Sequence, residues 1–195
     1  MPIVETLSKF NWIDLVVLVL FLRMCFVGSK TGLIVELFKI SGLILAVYIS
    51  LHYFSQAGSF LNDLVPPLGA EVSDLICFII LAVLSYVTVA IIREAFMRMV
   101  KTEATHVVDR WGGLVLGFCR SFMFISMIFI IFYLSHIIYF VESVKKSYLG
   151  SSLVYADVRV YEGIFKGIVT KFAPEAQINK SLYDVLEGEK LQEAL

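Results

Sequence analysis

Apolar residues in this chain gather into four long blocks separated by short polar segments. A helix needs roughly 20 mostly apolar residues to cross the hydrocarbon core of a bilayer, about 30 Å thick. Four stretches come near that length, at about 12–27, 33–53, 75–92 and 114–141. The first carries Asp14 near one end and Arg23 near the other. The second confines Glu36 and Lys39 to its first two turns. The third has no charge, and Arg120 is the one charge of the fourth. Terminal Lys and Arg side chains can snorkel to the interface. The pattern therefore predicts an all-α, multi-pass membrane protein with about four transmembrane helices.

The connections refine that picture. Gly28 to Gly32 reads as a tight turn, so the first two helices are expected to form an antiparallel hairpin. Pro66-Pro67-Leu68-Gly69 stops a helix and starts an extended link. Residues 1–150 then form the transmembrane domain, and 151–195 a polar tail. Within the tail, Tyr161, Ile164, Phe165, Ile168 and Phe172 recur at three- and four-residue steps, with Glu162, Lys166 and Lys171 on the other side. This predicts an amphipathic helix over about 153–172 that ends at Pro174. The pattern fits docking on the protein's own loops as well as on the lipid surface.

Composition agrees with the pattern. The 195 residues are 59% hydrophobic and 17% charged, with a mean hydropathy of +0.86. Soluble domains are about 45–50% apolar and about 25% charged. A secreted disulfide scaffold, a disordered chain and a charged cytosolic enzyme are all disfavoured. The net charge of −1 offers no footprint for nucleic acid. Cys25, Cys77 and Cys119 fall within or beside apolar stretches, with no C-x-x-C pair, and read as small buried hydrophobes. The N-terminus lacks a convincing cleavage signal, so the first span is expected to stay as an anchor.

Basic residues near helix ends mark the cytoplasmic side. Arg23, Lys30, Lys39, Arg93, Arg98, Lys101, Arg110 and Arg120 fall on one face. Both termini are therefore expected outside the cytoplasm, although Lys145, Lys146 and Arg159 oppose this. Charges inside a membrane cost several kcal/mol unless paired or wet. Asp14 suits a helix start, where the dipole favours a carboxylate, or a buried site that meets a polar partner. Arg23 and Glu36 are expected to face each other across the first turn. With Asp109, Arg110 and Arg120 they would form a polar cluster at the cytoplasmic end. Gly28-x-x-x-Gly32 reads chiefly as a turn, whereas Gly113-x-x-x-Gly117 reads as close helix packing. Motifs for metalloproteases, serine hydrolases and nucleotide-binding loops are missing, and His52, His106 and His136 lie on separate segments. No enzyme, metal or cofactor is expected.

Asn11-Trp12-x-Asp14, Gly28-x-x-x-Gly32 and Asp109-Arg110-x-x-Gly113-x-x-x-Gly117-x-x-Arg120 together resemble the colicin V production protein family, over roughly residues 10–150. Two departures are Gly-Ser-Lys-Thr-Gly at the first turn, less basic than in relatives, and Ser121 where a glycine is expected. The resemblance implies a bacterial inner-membrane protein associated with production or export of a peptide toxin, with no known reaction. It marks Asp14, Gly28, Gly32, Asp109, Arg110, Gly113, Gly117 and Arg120 as the positions of interest. Expected partners are the lipid bilayer and other membrane proteins or further copies of itself. Two functions follow: a non-catalytic support for secretion or envelope processes, or a small oligomeric transporter or channel with Asp14 and the cluster near Arg23, Glu36 and Arg120 lining a polar path.

Overall fold

The computed structural model describes residues 11–99, 106–173, 175 and 177–192. Among these the chain is mostly helical, with short non-helical links, and has no strand. Four long helices, α1 (Trp12–Thr31), α2 (Leu33–Leu64), α3 (Ala70–Met99) and α4 (His106–Leu134), are long and apolar enough to cross a membrane. At 1.5 Å per residue the 20 residues of α1 extend about 30 Å, one hydrocarbon thickness. The 32 residues of α2 extend about 48 Å, so its far end projects beyond the core. Leu15, Leu18, Val19, Leu22 and Phe26 on α1 are exposed, as are Ile80, Val83, Leu84, Val87 and Ile91 on α3. Apolar surface on that scale suits lipid rather than water.

Contacts fix the arrangement. Phe21 of α1 meets Phe118 and Phe122 of α4. Phe38 and Phe54 of α2 meet Phe96 and Phe78 of α3, which makes that pair antiparallel. The chain reverses at Gly32, yet α1 and α2 barely pack on each other, because α4 lies against both. This corrects the expected α1–α2 hairpin: the link is tight, but the packed neighbour of α1 is α4.

The fourth span also starts and ends earlier than the expected 114–141. Helix α4 ends at Leu134, and His136 takes a positive φ of 51°. Ser135 Oγ donates to Phe132 O at 2.7 Å and caps the end. Helix α5 (Ile138–Lys146) then leads to the single turn α6 (Gly150–Leu153) and to α7 (Tyr155–Ile164). α7 continues through a π-helical segment, Phe165–Val169, and a last turn, Thr170–Phe172. Helix α8 (Ser181–Gln192) closes the described chain. The amphipathic helix thus spans much the expected range, while Pro174 lies outside the described residues.

The tail docks on protein. Val158, Tyr161 and Phe165 are buried, and α7 rests against α2 and α4. Tyr161 Oη meets His52 Nδ1 at 2.9 Å and accepts from Asn179 N at 3.2 Å. Asn179 Nδ2 donates to Leu51 O at 2.9 Å. The second half of α2 receives these contacts. Ile168 and Phe172 remain exposed.

Candidate functional site

The two glycine pairs meet at one crossing. Gly28 lies inside α1, not in a turn, and is buried against α4. A Cβ on Gly28 would collide with Gly113 O, and one on Gly113 would collide with Gly28 O. A Cβ on Gly117 would stand 2.9 Å from Met24 O. Backbone rests on backbone here, the arrangement that small residues four apart permit in lipid. Of the four glycines, Gly32 is the turn. Its φ of 86° is a left-handed value that only glycine adopts freely.

Asp109 completes this corner. Gly32 has no side chain to cap α2, and Asp109 Oδ1 reaches across from α4 to accept from Leu33 N at 2.7 Å. A Cβ on Gly32 would strike that carboxylate. Asp109 thus supplies the N-terminal cap that α2 lacks locally, where the helix dipole also favours a negative charge. The neighbouring Arg110 is exposed and makes no ion pair among the described residues.

Below this corner lies an ionic cluster. Glu36 is fully buried and accepts from Thr31 Oγ1 and Lys39 Nζ, each at 2.6 Å. Arg120 Nη1 stands 3.2 Å from Glu36 Oε2. The Cβ of a helical residue tilts toward the N-terminus, which carries the Arg120 guanidinium back to the level of Glu36. This is charge contact rather than a well-aligned hydrogen bond. Glu36 Oε2 and Arg120 Nε are both buried without a hydrogen-bond partner. The expected Glu36–Arg120 association is present. The expected Arg23–Glu36 pairing is not, because Arg23 sits on the exposed face of α1 without an ion pair among the described residues. Asp109 and Arg110 also stand apart from this cluster. Lys101 falls outside the described residues.

Asp14 works at the other end of α1. It is fully buried, and its carboxylate accepts four hydrogen bonds. They come from Asn11 N at 2.9 Å, Ser147 Oγ at 2.6 Å, Leu149 N at 3.2 Å and Tyr148 N at 3.4 Å. With Asn11 it forms a capping box, and Asn11 Nδ2 also donates to Ser143 O at 3.0 Å. Asp14 is therefore both a helix-start carboxylate and a buried anchor for the α5–α6 connection.

Sequence reading missed Ser147, Ser126 and Asp157. Ser126 Oγ, on α4, donates to Val154 O at 3.1 Å and accepts from Asp157 N at 3.0 Å, which holds the start of α7. The Asp157 carboxylate is fully buried, and neither oxygen has a hydrogen-bond partner. Burial pushes its pKa well above the ordinary carboxylate value. No spacing rule signals a carboxyl on a tail helix that meets the middle of a distant span. A cleft of about 360 Å³ opens between α2, α3 and α4, with mostly apolar walls and Arg120 among its lining residues.

The family model described as Colicin V production protein matches residues 13–157. The chain belongs to the colicin V production protein family. The match takes in α1 to α4, the α5–α6 connection and the first residues of α7 up to Asp157. Comparison with curated proteins and with solved structures finds no match. Membership in the colicin V production family, together with four span-length apolar helices, makes this a multi-pass membrane protein.

Proposed function

We propose that the protein is a non-catalytic component of the bacterial inner membrane that supports an envelope process such as peptide-toxin export. Its working part is the shape of the helix bundle. What supports this reading is how the motif residues are employed. Gly28, Gly113 and Gly117 bring two backbones together, and Asp14 and Asp109 are both engaged with backbone amides. A nucleophile or general base needs a free reactive group within reach of a substrate. The two motif carboxylates are occupied with holding helix ends. The clustering of Arg93, Arg98, Arg110 and the Gly32 turn at one end supports a cytoplasmic face there, with both termini outside.

The transporter reading requires a polar path, and the observations favour it less. Asp14 lies in the first turn of α1, at the end away from the Gly32 turn beside which Glu36 sits, and the cleft next to Arg120 is mostly apolar. Crosslinking in native membranes, followed by identification of captured proteins, tests the proposal. Recovery of a secretion or envelope complex is expected. Recovery of self-oligomers alone, with solute flux abolished by Glu36→Ala and Arg120→Ala in protein that still inserts, would replace it with the transporter reading.

A further inference from the structure

The cleft beside Arg120 combines three observations. Its walls, including Leu43 and Ala46 of α2, Ala82 and Val83 of α3, and Phe124 and Met127 of α4, are apolar. It exists because α3 packs closely on α2 but only sparsely on α4. Its α3 wall is lipid-facing: Val83 is 55% and Val87 44% exposed. A cleft of this kind between spanning helices opens to the membrane and draws its occupant from there.

Charge says what that occupant carries. Arg120 is only 7% exposed. Its guanidinium offers five N–H donors, and one nitrogen, Nη1, meets Glu36. Nε is buried and unpartnered. Tyr86, on the cleft wall, also packs with Phe38, Lys39, Ala90 and Arg93, a closed contact that sets Lys39 and Arg93 beside this end of the cleft without lining it. Arg93 is half-buried and has no ion pair among the described residues. This end of the cleft thus sets three cations, Lys39, Arg93 and Arg120, against one carboxylate, Glu36. Asp109 stays charged while it accepts from the neutral Leu33 N, so counting it still leaves one cation in excess. Unbalanced charge is unfavourable inside a membrane, and phosphate suits a guanidinium fork.

Length agrees as well. From Arg120 to Ile131, a lining residue farther along α4, eleven residues rise about 16 Å. Because the Arg120 guanidinium reaches back from the middle of α4 to Glu36, the cleft from that group to Ile131 exceeds the roughly 15 Å of hydrocarbon in one leaflet, room for an extended acyl chain.

We infer that the α2–α3–α4 cleft is a binding site for an anionic phospholipid, with one acyl chain in the cleft and the headgroup phosphate drawn to Arg120 and Arg93. The full-length protein in a mild detergent is titrated with phosphatidylglycerol and, separately, with phosphatidylcholine of the same acyl chains. Bound lipid is read by native mass spectrometry and by thermal shift. Phosphatidylglycerol is expected to bind about tenfold more tightly, the effect of about one charge-assisted hydrogen bond. Arg93→Gln, which leaves the Glu36–Arg120 pair intact, is expected to erase most of that preference. The double variant Glu36→Gln/Arg120→Gln removes Arg120 without stranding a carboxylate and is expected to do the same. Ala82→Phe fills the cleft, and Val83→Trp obstructs its mouth from an exposed position that tolerates bulk. Both are expected to lose binding of either lipid. Equal binding of the two lipids overturns the inference. So does undiminished selectivity in Val83→Trp, or a second copy of the chain crosslinked through Val83→Cys in the cleft.

Discussion

Glu36 and Arg120 illustrate how much a single side chain can carry when its surroundings exclude water. Each is buried, and each is the other's counter-charge, with Lys39 assisting. Removing one partner of a buried pair strands the other, which costs about 3–5 kcal/mol, whereas removing both is often far milder. Glu36→Gln strands Arg120 and is expected to lower the melting temperature in detergent sharply. Arg120→Gln is expected to lower it less, because Lys39 stays on Glu36, and the double variant is expected to recover part of the Glu36→Gln loss. A double variant no more stable than the worse single variant would contradict the pairing. Asp14→Asn weakens a four-bond cap and tie and is expected to destabilise by about 1–2 kcal/mol, mainly through the α5–α6 connection. Ser147→Ala should show part of the same loss in the same melting measurement. These roles were only half legible from residue type. A carboxylate three residues after Asn11 announces a capping box, but its bonds from Ser147, Tyr148 and Leu149 join residues more than 130 positions away.

Helices in lipid associate through close packing rather than through exclusion of water, so the α1–α4 crossing depends on the missing Cβ atoms. Gly113→Leu is expected to separate α1 from α4 and to abolish assembly of the folded bundle, read as loss of a monodisperse peak in size-exclusion chromatography. Gly163→Ala provides the contrast. Nothing stands within 4 Å of its added Cβ, and alanine favours the helix by roughly 1 kcal/mol, so a small gain in melting temperature is expected. The Gly113-x-x-x-Gly117 spacing pointed to packing from the outset. The partner could not be read, because Gly28-x-x-x-Gly32 looks the same whether its first glycine bends the chain or admits a neighbouring backbone. The end of α4 was equally hidden, since Ser135-His136 interrupts an apolar run without a proline or glycine to mark the break.

For the molecule as a whole, the tail and the four spans form one packed unit, joined by Asp157 and Ser126 on one side and by Tyr161, Asn179 and His52 on the other. Asp157 gives that union a pH dependence. Its carboxyl has a folded-state pKa raised well above the reference value of 3.8. A raised value means that the folded chain holds the proton more tightly than the unfolded one. The associated stability is full below 3.8 and declines as pH rises toward the raised value. Asp157→Asn mimics the protonated acid. Its melting temperature is expected to exceed that of the natural chain at neutral pH and to lose that part of the pH slope. Parallel curves for the two proteins from acid to neutral pH would refute this assignment.

The count of membrane-spanning helices, the all-α class and the amphipathic tail helix follow from residue order alone, because hydropathy and its period are local properties of the chain. Which helices touch, where a cleft remains between them, and whether the tail rests on lipid or on protein were decided in three dimensions. The physical reason lies in the solvent. Water separates inward-facing from outward-facing side chains by polarity, whereas a bilayer accepts the same leucines and valines on both sides of a helix. Only shape and a few buried polar bonds then tell the two faces apart.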